Sequence, residues 1–161
     1  LLPAMTAARH GHIVNISSIG VLTNAPRFAA YVASKAALDA WTRCAASEFA
    51  DRGVQFTTIN MPLVKTPMIS PTKLYDQVPT LTPEEAADLV CDAIVHKPVR
   101  VATRLGIAGE VLPALMPRVA QVAMNTSFRI FGESGAAQGD EKAGPGKEQQ
   151  ALQQWMRGIH F

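Results

Sequence analysis

Two periods of apolar and polar positions run along the 161 residues of this chain. The stretch HIVNIS (residues 12–17) alternates weakly, is rich in β-branched residues and lies between Gly11 and Gly20, which predicts a buried strand. The period then changes to that of a helix. Residues 29–52 are rich in alanine and put Leu38, Trp41, Ala45 and Phe49 on one stripe, with Gly53 at the position that favours a left-handed helix end. VQFTTINM (54–61) reads as a second strand. Strand, helix, strand in that order implies a right-handed parallel crossover, so the chain is predicted to be α/β. The opening LLPAMTAARHG reads as the end of a helix and carries no signal-peptide pattern.

From Pro62 to Pro83 the chain carries five prolines, which predicts a long ordered loop rather than a helix or central strand. Thr82 as N-cap, Pro83 behind it and Glu85 closing a capping box predict a helix that stops at Lys97-Pro98. VRVAT (99–103) is predicted as a short strand. Residues 106–131 are predicted as an amphipathic helical extension broken at Pro113 and Pro117. Residues 132–150 are rich in Gly, Ala, Gln and charge and are expected to be disordered. The last eleven residues carry Leu152, Trp155, Met156, Ile159 and Phe161, enough for a short sticky turn.

Composition narrows the function classes. A 48% hydrophobic content suits one packed domain, and a net charge of +2 with scattered basic residues lacks the footprint of nucleic-acid binding. Cys44 and Cys91 have no CxxC spacing and no nearby histidine ligand, and His10 and His12 lack further ligands, so no metal site is expected. A reduced, cytoplasmic setting fits these cysteines. No apolar run reaches about eighteen residues, which argues against a membrane-spanning helix.

Candidate chemistry lies in NISSIGVLTNAPRFAAYVASKAAL (15–38), where Ser18 precedes Tyr31 by thirteen residues and Lys35 follows Tyr31 by four. Tyr31 and Lys35 share a helix face one turn apart, and Ser18 stands at a strand's carboxyl end, where open α/β sheets form their ligand crevice. A phenol with a pKa of about 10 is a poor acid at neutral pH, and a nearby ammonium favours its phenolate. A serine hydroxyl can hydrogen-bond a reacting carbonyl oxygen while a tyrosine passes it a proton. The same residues would also suit a tyrosine packed on the sheet beside a solvated lysine. The strand before it, the helix it opens and the serine at a fixed distance favour chemistry.

These residues resemble the short-chain dehydrogenase/reductase family. The resemblance implies that Ser18 orients the substrate, that Tyr31 is the catalytic acid/base, and that Lys35 holds the nicotinamide ribose and lowers the tyrosine pKa. The next strand runs into MPLVKTPM, similar to the family's Pro-Gly-x-Val-x-Thr segment, which implies that Pro62, Leu63, Val64 and Thr66 cradle the nicotinamide carboxamide of NADP or NAD. Leu63 replaces the usual glycine, so the turn there must avoid a glycine-only conformation or bear strain. The family's glycine-rich phosphate loop, its NAD/NADP discriminator and a relay asparagine would all precede residue 1. The expectation is therefore a fragment: residues 1–105 as the C-terminal half of a Rossmann-like, doubly wound parallel sheet, 106–131 as a helical extension and 132–161 as a flexible tail.

MPLVKTPMISPTKLY with the apolar extension also resembles the reductase domain of actinobacterial fatty acyl-CoA reductases. That likeness implies a small-molecule carbonyl or acyl-CoA substrate. Met68, Ile69, Leu74, Val78 and Leu81 line the 62–83 loop with apolar side chains, Lys65 and Lys73 could face CoA phosphates, and Arg104, Arg118 and Arg129 punctuate the extension. Such a surface suits an acyl chain, a peripheral membrane contact or a partner domain. The resemblance also implies a homo-oligomer joined through the long helix. The alternative is a truncated, non-catalytic fragment acting only as an association module.

Overall fold

A computed structural model of the chain describes residues 1–67 and 79–130. The expectations for Met68, Ile69, Lys73, Leu74, Val78 and the tail beyond 130 lie outside the described residues. The element order is α1 (Leu2–Ala8), β1 (Gly11–Ser18), α2 (Ile19–Thr23), α3 (Ala29–Glu48), β2 (Val54–Met61), α4 (Pro83–His96), β3 (Arg100–Val101), α5 (Arg104–Leu115) and α6 (Pro117–Ile130). The strands form one parallel sheet in the order β1-β2-β3, and β1 pairs with β2 from Gly11 opposite Val54 to Ser18 opposite Met61. This is the α/β class with the predicted parallel crossover.

Side-chain alternation along the sheet decides where α3 docks. Ile13 and Phe56 stand opposite one another in the register, and Phe56 joins Ala45 and Val54 in a core against which Leu2, Met5, Ile13, Ala46 and Phe49 pack. Trp41 adds an edge-on contact to Phe56 at 6.1 Å while staying half exposed. Burying a side chain such as Phe56 contributes about 2 kcal/mol. Two steps along, the same face turns polar. Asn15 donates to Thr42 at 2.8 Å, Asn60 accepts from Arg100 at 2.8 Å, and Asp39, only 3% exposed, is paired with Arg43 and lies 4.0 Å from Arg100. Arg100 also grips Glu110 of α5 with both terminal nitrogens, at 2.8 and 3.2 Å.

Several boundaries differ from the sequence reading for identifiable reasons. α3 stops at Glu48, and Ala50–Arg52 tighten into a 3-10 turn ahead of Gly53, which has φ +71. β1 takes in Gly11 and Ser18, whereas β3 shrinks to Arg100 and Val101, the two residues in register with Thr58 and Ile59, although the Val99 carbonyl still accepts the Thr58 N–H at 3.1 Å. Pro113 does not break the extension. It lies inside α5, and the interruption comes at Met116, just before Pro117. The proline-rich loop, read as neither helix nor central strand, makes an isolated parallel bridge between Val64 and Leu81. The Thr82 capping box forms as expected, with both of its hydrogen bonds present. No metal-binding cluster and no helix long and apolar enough to cross a membrane occur among the described residues.

His12, read as part of a solvated strand entrance, is partly buried within β1. Its Nε2 lies 2.9 Å from Thr57 Oγ1, and the Thr57 hydroxyl donates to the Pro98 carbonyl, so Nε2 carries the proton in the neutral ring. Burial first, and repulsion from Lys97 second, hold its pKa below the ordinary 6.5.

The folded state thus binds this proton less readily than the unfolded chain. Stability should fall as pH drops below 6.5 and level off beneath the folded pKa. Urea midpoints measured across that range on the longest natural polypeptide containing this sequence should show the decline, and His12→Gln should flatten it. A Cβ at Gly53 would meet the Arg9 carbonyl oxygen at 2.1 Å in a left-handed backbone. Gly53→Ala should lower stability by roughly 1–3 kcal/mol from the backbone alone, read as a lower urea midpoint.

Candidate active site

Ser18 closes β1, Lys35 reaches back to the Ile16 carbonyl of the same strand, and Tyr31 lies one turn ahead of Lys35 on α3. Ser18 is the last residue of that strand rather than part of the following loop. It has extended dihedrals, φ −145 and ψ 147, and its Oγ accepts the Gly20 N–H at 3.1 Å as the N-cap of α2. Sequence reasoning missed both the cap and the helix, a five-residue turn that a 3.6-residue period cannot register. The cap uses an oxygen lone pair of Ser18 and leaves its O–H free to donate.

Lys35 is fixed at both ends. Its ammonium donates to the Ile16 carbonyl at 2.9 Å, and its own carbonyl accepts from the buried Ser17 hydroxyl at 3.4 Å. One of three ammonium donors is used in this way, so two remain for a ligand. Tyr31 stands one helical turn earlier, in the first turn of α3, with 47% of its surface exposed. Its carbonyl accepts the Ser34 hydroxyl at 2.7 Å. Ser17, whose hydroxyl reaches the Lys35 carbonyl, is a neighbour of the candidate site that the sequence reading did not single out.

The second motif lies beside the first because Ser18 and Met61 are partners in the register. Pro62, directly after Met61, is buried. Leu81 donates to the Leu63 carbonyl and accepts from the Lys65 N–H, both at 2.8 Å. In a parallel bridge that pattern turns the N–H and C=O of Val64 towards the opposite edge. Leu63 is absent from the non-glycine residues with positive φ, so the turn avoids a glycine-only conformation as expected. Thr66 is half-buried and Lys65 exposed.

A family profile described as short chain dehydrogenase matches residues 1–75, which hold the serine, the tyrosine, the lysine and the Pro62 segment. Over these residues the chain is similar to the short-chain dehydrogenases. It is 53% identical over 142 residues to a fatty acyl-CoA reductase of Acinetobacter baylyi, covering 88% of this chain and 48% of that one. It is also 46% identical over 164 residues to an oxidoreductase of Mycobacterium bovis, covering 99% of this chain and 48% of that one. The chain therefore spans about half the length of the curated relatives it matches. A solved short chain dehydrogenase of Burkholderia cenocepacia in complex with NADP superposes with a TM-score of 0.62 at 23% identity, over 76% of this chain and 50% of that one. That likeness establishes the fold.

Because Ser18 caps α2, Ser18→Ala should lower stability by about 1 kcal/mol as well as altering the site. Ser18→Thr, which keeps the hydroxyl, should unfold at nearly the parent's urea midpoint. Equal midpoints for Ser18→Ala and the parent would remove the capping role.

Proposed function

We propose that this chain carries the catalytic half of an NAD(P)H-dependent oxidoreductase that reduces a carbonyl compound or a fatty acyl-CoA thioester. The observation that carries this reading is the tether of Lys35 to Ile16, which holds an ammonium with spare donors one turn beyond Tyr31 and beside the end of β1. The 53% identity to a fatty acyl-CoA reductase supports the acyl-CoA substrate.

The residues present fit the nicotinamide end of a dinucleotide: Lys35 would hold the ribose hydroxyls, and Val64 would meet the carboxamide with its outward N–H and C=O. Pro62, Leu63 and Thr66 would shape the turn around it. When bound, the cofactor supplies the hydride that reduces the carbonyl carbon. Ser18 donates its free O–H to the carbonyl oxygen and orients it. Tyr31 passes its Oη proton to that oxygen as negative charge develops there; a carbonyl compound becomes an alcohol at this step, and a thioester becomes a hemithioacetal that releases the CoA thiol and leaves an aldehyde.

The test is turnover of a long-chain acyl-CoA with NADPH or NADH by the longest natural polypeptide that contains this sequence. Tyr31→Phe should lower kcat by about a hundredfold or more with an unchanged urea midpoint. Retention of activity within about tenfold of the parent would remove Tyr31 from proton transfer.

A further inference from the structure

The last turn of α6 is clasped by the loop that leads into the catalytic helix. The Arg27 guanidinium lies over the Phe128 ring, 4.3 Å from its centroid, and Nη2 donates to the Phe128 carbonyl at 3.2 Å. Two kinds of attraction therefore join the same two residues, 101 positions apart in sequence. Phe128 lies within the last four residues of α6, whose carbonyls have no partner inside the helix. A cation is favoured at such a helix end, so Arg27 acts as a cap delivered from a distant loop.

Arg27 precedes Tyr31 by four residues. It has φ +73, a conformation that a side-chain-bearing residue keeps only where surrounding contacts hold it. The other end of the hairpin is anchored as closely. An added Cβ at Gly106 would meet Leu22 Cδ1 at 2.8 Å, and one at Gly109 would meet Thr23 Cγ2 at 3.0 Å, so α5 lies directly on α2, the helix capped by Ser18. Both outer ends of the α5–α6 hairpin thus rest on the segments that carry Ser18 and Tyr31. Between them the hairpin exposes Leu112, Leu115, Met116, Val119 and Val122, and it bears no acidic residue after Glu110, itself paired with Arg100.

We propose that Arg27 is a positioning residue: its clasp on Phe128 seats the hairpin beside the catalytic tyrosine and makes it the wall along which the acyl chain of the substrate lies. This proposal rests on the acyl-CoA reductase reading above. It separates two functions within one site. Chemistry belongs to Ser18, Tyr31 and Lys35, while selection of chain length depends on a contact that touches none of the reacting atoms.

The clasp is tested with Arg27→Gln, Phe128→Ala and the conservative Phe128→Tyr in the longest natural polypeptide containing the sequence. Arg27→Gln and Phe128→Ala should raise KM for a long-chain acyl-CoA by about tenfold while kcat stays within about threefold, and kinetics with a short aldehyde should not change. Phe128→Tyr, which keeps an aromatic face, should behave like the parent. Amide hydrogen exchange supplies a readout independent of turnover: residues 24–28 and the end of α6 should lose protection in Arg27→Gln while β1 and β2 keep theirs. Equal effects on long and short substrates, or unchanged exchange, would overturn the proposal. A parent that reduces neither substrate would defeat the functional reading instead, and the exchange result would still decide whether Arg27 seats the hairpin.

Discussion

The hydrogen bond from Lys35 to the Ile16 carbonyl, backed by that from Ser17 to the Lys35 carbonyl, is the constraint on which the site depends. Apolar packing alone lets a helix slide or rotate on a sheet at little cost, because hydrophobic attraction is not directional. Two hydrogen bonds at one residue remove that freedom and set the register of α3 against β1. With Lys35 fixed, Tyr31 is fixed one turn earlier, and Ser18 lies two residues beyond the tether point.

The same division of labour runs the length of the helix–sheet interface. At the amino ends of the strands, Val54, Phe56 and Ile13 meet Ala45, Ala46 and Phe49, where burial supplies stability. Towards the carboxyl ends, Asn15, Ser17, Thr58, Asn60 and Arg100 face Thr42, Asp39 and Lys35, where directional bonds supply position. Buried polar groups of this kind are costly unless paired, and one cost is visible: Asn60 Nδ2 has no partner among the described residues. Arg100 links the two strands' polar face to α5 through Glu110, so the position of α5 is tied to the same layer that positions α3.

The candidate residues of the two motifs could be picked out because they stand at short, fixed spacings along the chain: four residues for one helical turn, thirteen from a strand end into the next helix, and a short segment directly after a strand. The strands, the long helix and the Thr82 cap were legible for a related reason, since period and capping are properties of neighbouring residues. Less of the detail could be read. The α2 turn is shorter than the window over which periodicity is detectable, and the 3-10 turn at Ala50–Arg52 follows α3 with no change of sequence pattern to mark it. Pro113 was expected to break a helix that it merely weakens near its end, because packing of α5 on α2 outweighs one lost hydrogen bond.

By itself the sequence determined the α/β class, the parallel crossover and the candidate serine, tyrosine and lysine, all of which follow from local pattern and spacing. Only the tertiary structure decided which partners those residues take: the Ile16 carbonyl for Lys35, the Gly20 amide for Ser18, Phe128 for Arg27 and Glu110 for Arg100. Arg27 and Phe128 lie 101 residues apart. A contact between residues so far apart in sequence has no period and no motif, because it exists only once the fold has brought the two segments together.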